Sequence, residues 1–304
     1  MKRTVLAISV AVLSAAVWAG AQNYGTGSGQ QTPPPAATSS GPAAPAGQSP
    51  ATTPAAPAGK RPPQAKTQPE LDAYNTAAAI KDGPGLEKAA DDFATKFPDS
   101  ELRILLYEAT MRTYQSANTA DKTEAMGRKV LGLDADNPEA LVIVSEVIAE
   151  RTRDTDLDKD QRFDEAMKMA QKATQTVETD VSFNVGTPQE KIDAYKALLR
   201  SNAYSVMGTI DFKKESFATA QDSLQKSIDA YPAQPDPVVV LRLALSLDKQ
   251  SKYPDALKVA NRAVEMTQEG SQIGTLARRE RDRLQQLTGG AAPAATAAPP
   301  APKN

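Results

Sequence analysis

The acidic side chains near the middle of the chain have the spacing most suggestive of chemistry. Carboxylates recur at alternate positions and again at the twelfth position of the stretch, as Asp154, Asp156, Asp158, Asp160 and Glu165. Calcium-binding loops between two helices place acidic oxygens at their first, third and fifth positions and a bidentate Glu at the twelfth. This stretch is therefore a candidate calcium site.

Two residues of the same stretch depart from the calcium-loop pattern. Lys159 stands where such loops need Gly for a sharp turn, and it also brings a positive charge among the ligands. Gln161 stands where an aliphatic side chain is usual. The alternative is a solvated acidic loop in which Asp158 or Asp160 caps the next helix. The sequence leaves both interpretations open, and a calcium-modulated binding module is the alternative function that the first one implies.

The sequence offers few candidates for catalysis. It contains no Cys and no His, so nucleophile systems and zinc sites built on those residues are excluded. Ser223 and Lys226 have the spacing of the first motif of penicillin-binding enzymes, but the companion motifs do not follow in order. No convergent acid and base are apparent. The sequence thus predicts a protein that is not an enzyme, with an envelope enzyme as a further alternative.

The overall composition restricts the class of partner and of fold. The net charge is −2, whereas proteins that bind nucleic acid present a basic face to the phosphates. The sequence therefore predicts no nucleic-acid partner. Aromatic residues make up only 5% of the chain and alanines are frequent, which suits closely packed helices better than a β-sandwich.

Capping residues and helix breakers divide the central part of the chain into helices. Prolines flank the periodic apolar segments, as at Pro98, Pro138 and Pro237. The run Thr187–Glu190 has the residue order of a capping box, with Pro at the first helical position. Helices are predicted over about 70–81, 86–97, 100–115, 121–131, from 138 onward, and over 162–177, 188–212, 216–231, 237–249, 254–267 and 273–287.

The stretch 201–234 carries a pattern of small and large residues that recurs elsewhere. Its members are Tyr204, Met207, Gly208, Ala220, Leu224 and Pro232. Small residues suit positions where two antiparallel helices cross closely, and a Pro ends the second helix because it cannot donate a backbone hydrogen bond. An aromatic residue followed three positions later by Ala recurs at Phe163–Ala166, Phe217–Ala220 and Tyr253–Ala256.

This pattern resembles the tetratricopeptide (TPR) repeat. The resemblance implies an all-α fold, a TPR-like α-solenoid of about five antiparallel helix pairs plus a C-terminal capping helix, with a protein or peptide as partner. The junction at 93–100 also resembles that of periplasmic TPR proteins in envelope assembly, although those proteins are lipid-anchored through a Cys that this chain lacks. The resemblance therefore implies an exported, non-catalytic scaffold or assembly factor.

The N-terminal residues have the pattern of a secretion signal. Lys2 and Arg3 precede an apolar run, and Ala19 and Ala21 fit the small-x-small cleavage rule, which predicts Gln22 as the new terminus. The domain prediction is a signal peptide over 1–21, a disordered Pro/Ala/Gly-rich linker over 22–69, the helical body over 70–287 and a disordered Ala/Pro tail over 288–304. We expect a periplasmic or secreted protein with no stable membrane span after cleavage.

The resemblance also implies where a partner binds. In a TPR stack the first helix of each pair lines the concave face, and stacked pairs form an extended groove. The residues expected on this face are Glu139, Val142, Glu146, Glu150, Asn202, Ser205, Thr209, Phe212, Val238, Leu241 and Leu245. Such a groove is acidic at one end and apolar at the other, and suits a peptide with a basic part and an apolar anchor. The alternative is that Leu241 and Leu245 belong to the core.

Overall fold

The computed structural model describes residues 59–184 and 186–289, and every regular element in these two ranges is an α-helix. The helices follow the predicted order, and none of them is both long enough and apolar enough to cross a membrane. They are α1 (Gln68–Ala78), α2 (Gly83–Lys96), α3 (Arg103–Ser116), α4 (Ala120–Leu133), α5 (Pro138–Arg151), α6 (Lys159–Thr176), α7 (Gln189–Lys213), α8 (Phe217–Ala230), α9 (Pro237–Lys249), α10 (Tyr253–Glu265) and α11 (Gln272–Leu287).

Each helix packs against the helix that follows it in the chain, which gives a solenoid of helix pairs. The pairs are α1 with α2, α3 with α4, α5 with α6, α7 with α8 and α9 with α10, and α11 closes the stack. Within the described part of the chain, the prediction of an all-α, TPR-like solenoid with five pairs and a C-terminal helix is confirmed.

The first helices of the pairs form an inner layer. Helix α1 contacts α3, α5 contacts α7, α7 contacts α9, and α9 contacts α11. Among the described residues, no two successive second helices pack together to a comparable extent. In a curved stack, the layer whose members lie closer together is on the concave side. The first helices form the more closely packed layer, and the TPR resemblance predicts that this layer lines the concave face.

Close crossings depend on small residues in the second helices. Ala166, Ala220 and Ala256 are fully buried. In the pair α7–α8, a Cβ added to Gly208 would lie 2.6 Å from Cγ of Leu224, so no larger residue fits without movement. The repeat pattern thus singled out positions that are buried or, at Gly208, too close to the facing helix for a larger residue.

The capping box lies at a different helix from the predicted one. Helix α7 begins at Gln189 after Pro188, and the hydroxyl of Thr187 donates to the carbonyl of Asn184 at 2.8 Å instead of capping the helix. The prediction for Thr187–Glu190 is therefore wrong. The Pro directly after Thr187 holds the N-cap position itself, which places the threonine outside the first turn.

The same residue types form the box at the start of α1. Thr67 is its N-cap, and its hydroxyl accepts from the N–H of Glu70 at 3.3 Å. The Glu70 carboxylate accepts in return from the backbone N–H of Thr67. Here Pro69 comes one position later and lies inside the first turn, where its missing N–H has no cost.

The end of the predicted linker is ordered against the body. Residues 59–66, which we call the strap, form no helix. They contact loops that connect one helix pair to the next: the N–H of Lys60, for example, donates to the carbonyl of Thr179 at 3.0 Å. For these residues the prediction of a disordered linker is corrected, because Lys and Arg side chains among the prolines find acidic partners. The predicted signal peptide, the linker over 22–58 and almost all of the predicted C-terminal tail lie outside the described residues.

Candidate functional site

Several of the predicted groove residues belong to the core. Val142, Thr209, Val238 and Leu241 are buried, and only 2% of Leu241 is exposed. Leu245 is half-buried and packs against the same hydrophobic cluster as Leu241. Helices α5, α7 and α9 each touch their own second helix, the second helix of the preceding pair and at least one neighbouring first helix, so only a narrow stripe of each remains accessible. The prediction of an apolar end to the groove is therefore wrong, and the alternative that Leu241 and Leu245 are core residues is correct.

The remaining predicted groove residues are partly accessible. They are Glu139, Glu146, Glu150, Asn202, Ser205 and Phe212. Phe212 packs edge-on against Phe217, with ring centroids 5.5 Å apart, so its ring is engaged within the pair α7–α8. The accessible part of the inner layer is thus polar and rich in carboxylates.

One group of charged residues in this layer is fully paired. Arg112 of α3 donates to both carboxylate oxygens of Glu139 on α5, with Nε and Oε1 2.6 Å apart, and its guanidinium lies 3.5 Å from Glu108. Asn137 donates to Glu108 at 2.7 Å, and Tyr195 of α7 also hydrogen-bonds to Glu139. These contacts join α3, α5 and α7.

The pKa values of the two carboxylates in this group, Glu108 and Glu139, are shifted in opposite directions. Burial raises the pKa of Glu108 to about 7, and Glu139 adds to the effect while Arg112 opposes it. Burial acts in the same sense on Glu139, but the Arg112 guanidinium outweighs it and holds the pKa of Glu139 below its ordinary value. Because Glu139 is occupied by Arg112 and Tyr195, we assign it a structural role rather than a contact to a partner.

A second group joins α5, α7 and α9 around a buried arginine. Only 8% of Arg242 is exposed; its Nη2 lies 3.2 Å from Oε1 of Glu150, and its Nη1 donates to Thr209 at 2.5 Å. Lys213 donates to the carbonyls of Ala149 and Glu150 at 2.5 and 3.0 Å, at the C-terminal end of α5. A lysine suits this place because the helix dipole is negative there.

Glu146 lies one turn before Glu150 on α5 and differs from the other carboxylates of the layer. Among the residues that the structure describes, no side chain or backbone group forms a hydrogen bond or ion pair with it. Burial raises the pKa of Glu146 to about 7, the negative charges of Glu150 and Asp236 add to this, and Arg242 opposes it. A carboxylate that is costly to ionise and has no direct partner is a candidate for contact with a ligand.

Replacing this carboxylate should stabilise the protein in a pH-dependent way. Well below pH 4.5, Glu146 is protonated in both the folded and the unfolded chain, whereas above about pH 7 it is ionised in both and only the folded state carries the penalty. We expect Glu146→Gln to raise the free energy of unfolding by about 1–2 kcal/mol at pH 8 and by little at pH 5.

Thermal melts of the variant at the two pH values check this prediction. Glu265→Gln is the matched control, because Glu265 is exposed near the end of α10, in the outer layer. A gain of equal size at both pH values, or an equal gain in the control, would contradict the assignment to Glu146.

The acidic stretch 154–165 forms the connection between α5 and α6 and the start of α6. Asp154 lies 3.9 Å from the ammonium of Lys159, and Asp156 accepts from the N–H of Arg153 at 2.9 Å. Glu165 on α6 accepts from Arg128 of α4 at 2.8 Å. These contacts turn the carboxylates toward separate partners.

The described residues show neither the ligand cluster of a calcium site nor a capping hydrogen bond from Asp158. In the described ranges, no group of three or more acidic residues is placed to hold a metal ion. Asp158 occupies the N-cap position of α6 without a side-chain capping hydrogen bond, and Asp160 lies exposed in the first turn. The calcium hypothesis stays a prediction, for which a calcium-dependent shift in melting temperature is the direct measurement.

Arg112, Tyr195 and Arg242 are the polar residues of the inner layer that sequence reasoning missed. The sequence does mark Arg242 as unusual, because it is the single charged residue in the apolar run Pro237–Leu247. A lone charge within an apolar helix indicates a buried partner elsewhere in the chain. Arg112 and Tyr195 had no such signal, since both occur in segments of mixed polarity.

Comparison with known proteins adds only distant structural likenesses. No known family profile and no curated protein matches the sequence. Among solved structures, TTC0263, a thermophilic TPR protein of Thermus thermophilus, is 11% identical with a TM-score of 0.44, over 69% of this chain and 98% of its own. The assembly chaperone of RpL4 (Acl4) is 12% identical with a TM-score of 0.37, over 72% of this chain and 98% of its own. The kind of partner that this chain binds must therefore be inferred from the chain's own residues.

Proposed function

We propose that this chain is a non-catalytic scaffold or assembly factor of the cell envelope that binds a protein partner on the concave face of its solenoid. The observation that carries the proposal is Glu146, a carboxylate on that face with no direct partner among the described residues. A Lys or Arg side chain of the partner would supply the missing positive charge. The binding surface is thus assigned to an extended or helical peptide with a basic residue at its centre.

The surroundings of Glu146 favour a cation. Glu150 and Asp236 add negative charge beside it, and the one nearby arginine, Arg242, is already bound to Glu150 and Thr209. A carboxylate that lowers the stability of the folded protein serves no purpose in the free protein. Residues of that kind are frequent at functional sites, where stability is given up for binding.

Binding of defined peptides tests the proposal. Ten-residue synthetic peptides with Lys, Arg, Gln or Glu at the centre are titrated against the full chain and against Glu146→Gln. We expect the basic peptides to bind best, and Glu146→Gln to weaken them about tenfold, as for a partly buried charge pair. Glu265→Gln is expected to leave binding unchanged. Equal binding of the Glu-centred and Lys-centred peptides would overturn the proposal.

The sequence of the N-terminal residues supports the part of the proposal that places this protein in the cell envelope. The basic start, the apolar run and the Ala19-x-Ala21 site have the order of a cleaved secretion signal. N-terminal sequencing of the protein isolated from its source is expected to begin at Gln22. Recovery of an intact Met1 terminus in a membrane fraction would contradict export with cleavage.

A further inference from the structure

The strap, residues 59–66, lies on the solenoid as a bound peptide would. It contacts loops at one edge of the body, which we call the junction edge: 97–102 between α2 and α3, 134–137 between α4 and α5, and the start of the connection between α6 and α7. Lys60 contacts the second and third of these loops, whereas Arg61, Gln64 and Lys66 contact the first.

Basic side chains hold the strap to acidic groups of the junction edge. The ammonium of Lys60 lies 2.6 Å from Asp134 and 3.9 Å from Asp180. The guanidinium of Arg61 donates to Oε1 of Glu101 at 2.7 Å. The charges of the strap and of the edge are therefore complementary at both of these points.

The backbone of the strap is recognised as well. Gln64 N–H donates to Oε2 of Glu101 at 3.1 Å, so one carboxylate binds both the side chain of Arg61 and the main chain three residues later. Lys60 N–H donates to the carbonyl of Thr179 at 3.0 Å, and Ala65 packs against the hydrophobic cluster of the first helix pairs. Pro62 and Pro63 lie between these contacts, half-buried.

The two prolines explain why an extended segment fits. Proline fixes its own φ angle and restricts the residue before it to extended conformations. Such a segment loses little conformational entropy on binding, which is the basis of recognition in proline-rich ligands. Arg61, followed by Pro62, is thereby held extended with its side chain free to reach Glu101.

The contacts of the strap are also the kind that exchange readily. Exposure is 41% for the side chain of Lys60, 59% for Arg61 and 40% for Glu101. Ion pairs with that much solvent access contribute little to stability and open easily. The strap therefore covers the junction edge without being a permanent part of the core.

We propose that the junction edge is a binding surface for an extended segment of a partner protein in which two basic residues precede two prolines, and that the strap is the chain's own competitor for it. Glu101 is the central recognition residue, because its carboxylate accepts hydrogen bonds from both a basic side chain and a backbone N–H. Asp134 accepts the preceding basic residue. Among the described residues, the hydrogen bonds and ion pairs of the strap do not involve Glu146, Glu150 or Arg242.

The test measures binding of a labelled peptide with the sequence of residues 59–66 to the full chain by fluorescence anisotropy. Lys60→Glu with Arg61→Glu releases the strap, and we expect the peptide to bind this variant at least about tenfold more tightly than the unaltered chain, because a tethered competitor acts at a high effective concentration. Adding Glu101→Arg to that variant is expected to abolish the gain.

Three controls make the result specific. Lys258→Glu with Arg262→Glu changes the net charge equally at two exposed positions of α10 and should leave binding as in the unaltered chain. A peptide of the same composition in scrambled order should bind weakly, and Glu146→Gln should have no effect. Circular dichroism confirms that each variant is helical. No gain on releasing the strap, or a gain that survives Glu101→Arg, would overturn the proposal.

Discussion

Ala220→Leu is expected to lower the melting temperature of the protein by about 2–12 °C, because overpacking a close helix crossing costs about 1–3 kcal/mol and each kcal/mol lowers the melting temperature of a domain of this size by about 2–4 °C. Ala220 is fully buried in the core cluster at the pair α7–α8. The neighbouring crossing residue, Gly208, already touches Leu224 so closely that one added Cβ would lie 2.6 Å from its Cγ. The branched leucine side chain therefore has no space to enter.

The same helix offers a matched control for this substitution. Ala218 lies two residues earlier in α8 and is exposed. Ala218→Leu adds the same side chain to the same helix without touching the crossing, so we expect its melting temperature to stay close to that of the unaltered protein. An equal loss in both variants, or no loss in Ala220→Leu, would mean that the crossing does not depend on a small residue at 220.

Arg242→Met is expected to destabilise the protein by about 2–4 kcal/mol at pH 8, close to the lower end of the range for breaking a buried ion pair. The side chain is lost from the contact with Glu150 on α5 and with Thr209 on α7. Methionine has a similar length and fills the space, so the loss reports mainly on charge. The value lies below that for a fully buried pair because 26% of the Glu150 side chain is exposed.

The loss on Arg242→Met should depend on pH in a defined direction. Arg242 lowers the pKa of Glu146 and of Asp236, while burial raises both. Without the guanidinium, these folded-state pKa values rise further, so the penalty for ionised carboxylates appears as the pH increases. We expect a clearly smaller loss at pH 5 than at pH 8, measured by chemical denaturation at both values.

Two further variants separate the charge of Arg242 from its shape. Arg242→Lys keeps the charge but has a single donor group and should recover part of the stability. Arg262→Met, at an exposed position of α10, should have little effect at either pH. A loss on Arg242→Met that is independent of pH would assign Arg242 to packing alone.

The sequence by itself determined the helices and their pairing. Prolines, capping residues and small residues act within a few positions of the chain, so their pattern marks helix ends and close crossings without any knowledge of distant contacts. The prediction of Pro237 as the start of a helix ending at Lys249 matches α9 at both ends. Where two local patterns were alike, as in the capping boxes at Thr67 and Thr187, the place of one proline decided between them.

The tertiary structure decided which side chains meet and which remain without a partner. Arg242 binds Glu150, which lies 92 positions earlier in the chain, and the strap contacts three loops that are far apart in sequence. Helical periodicity places Leu241 and Glu146 on the faces of their own helices, but burial of Leu241 and isolation of Glu146 depend on neighbours from other pairs. A short-range sequence pattern can indicate that a charge is buried, as for Arg242, but it does not specify which distant residues supply its partners, because those depend on distances in three dimensions.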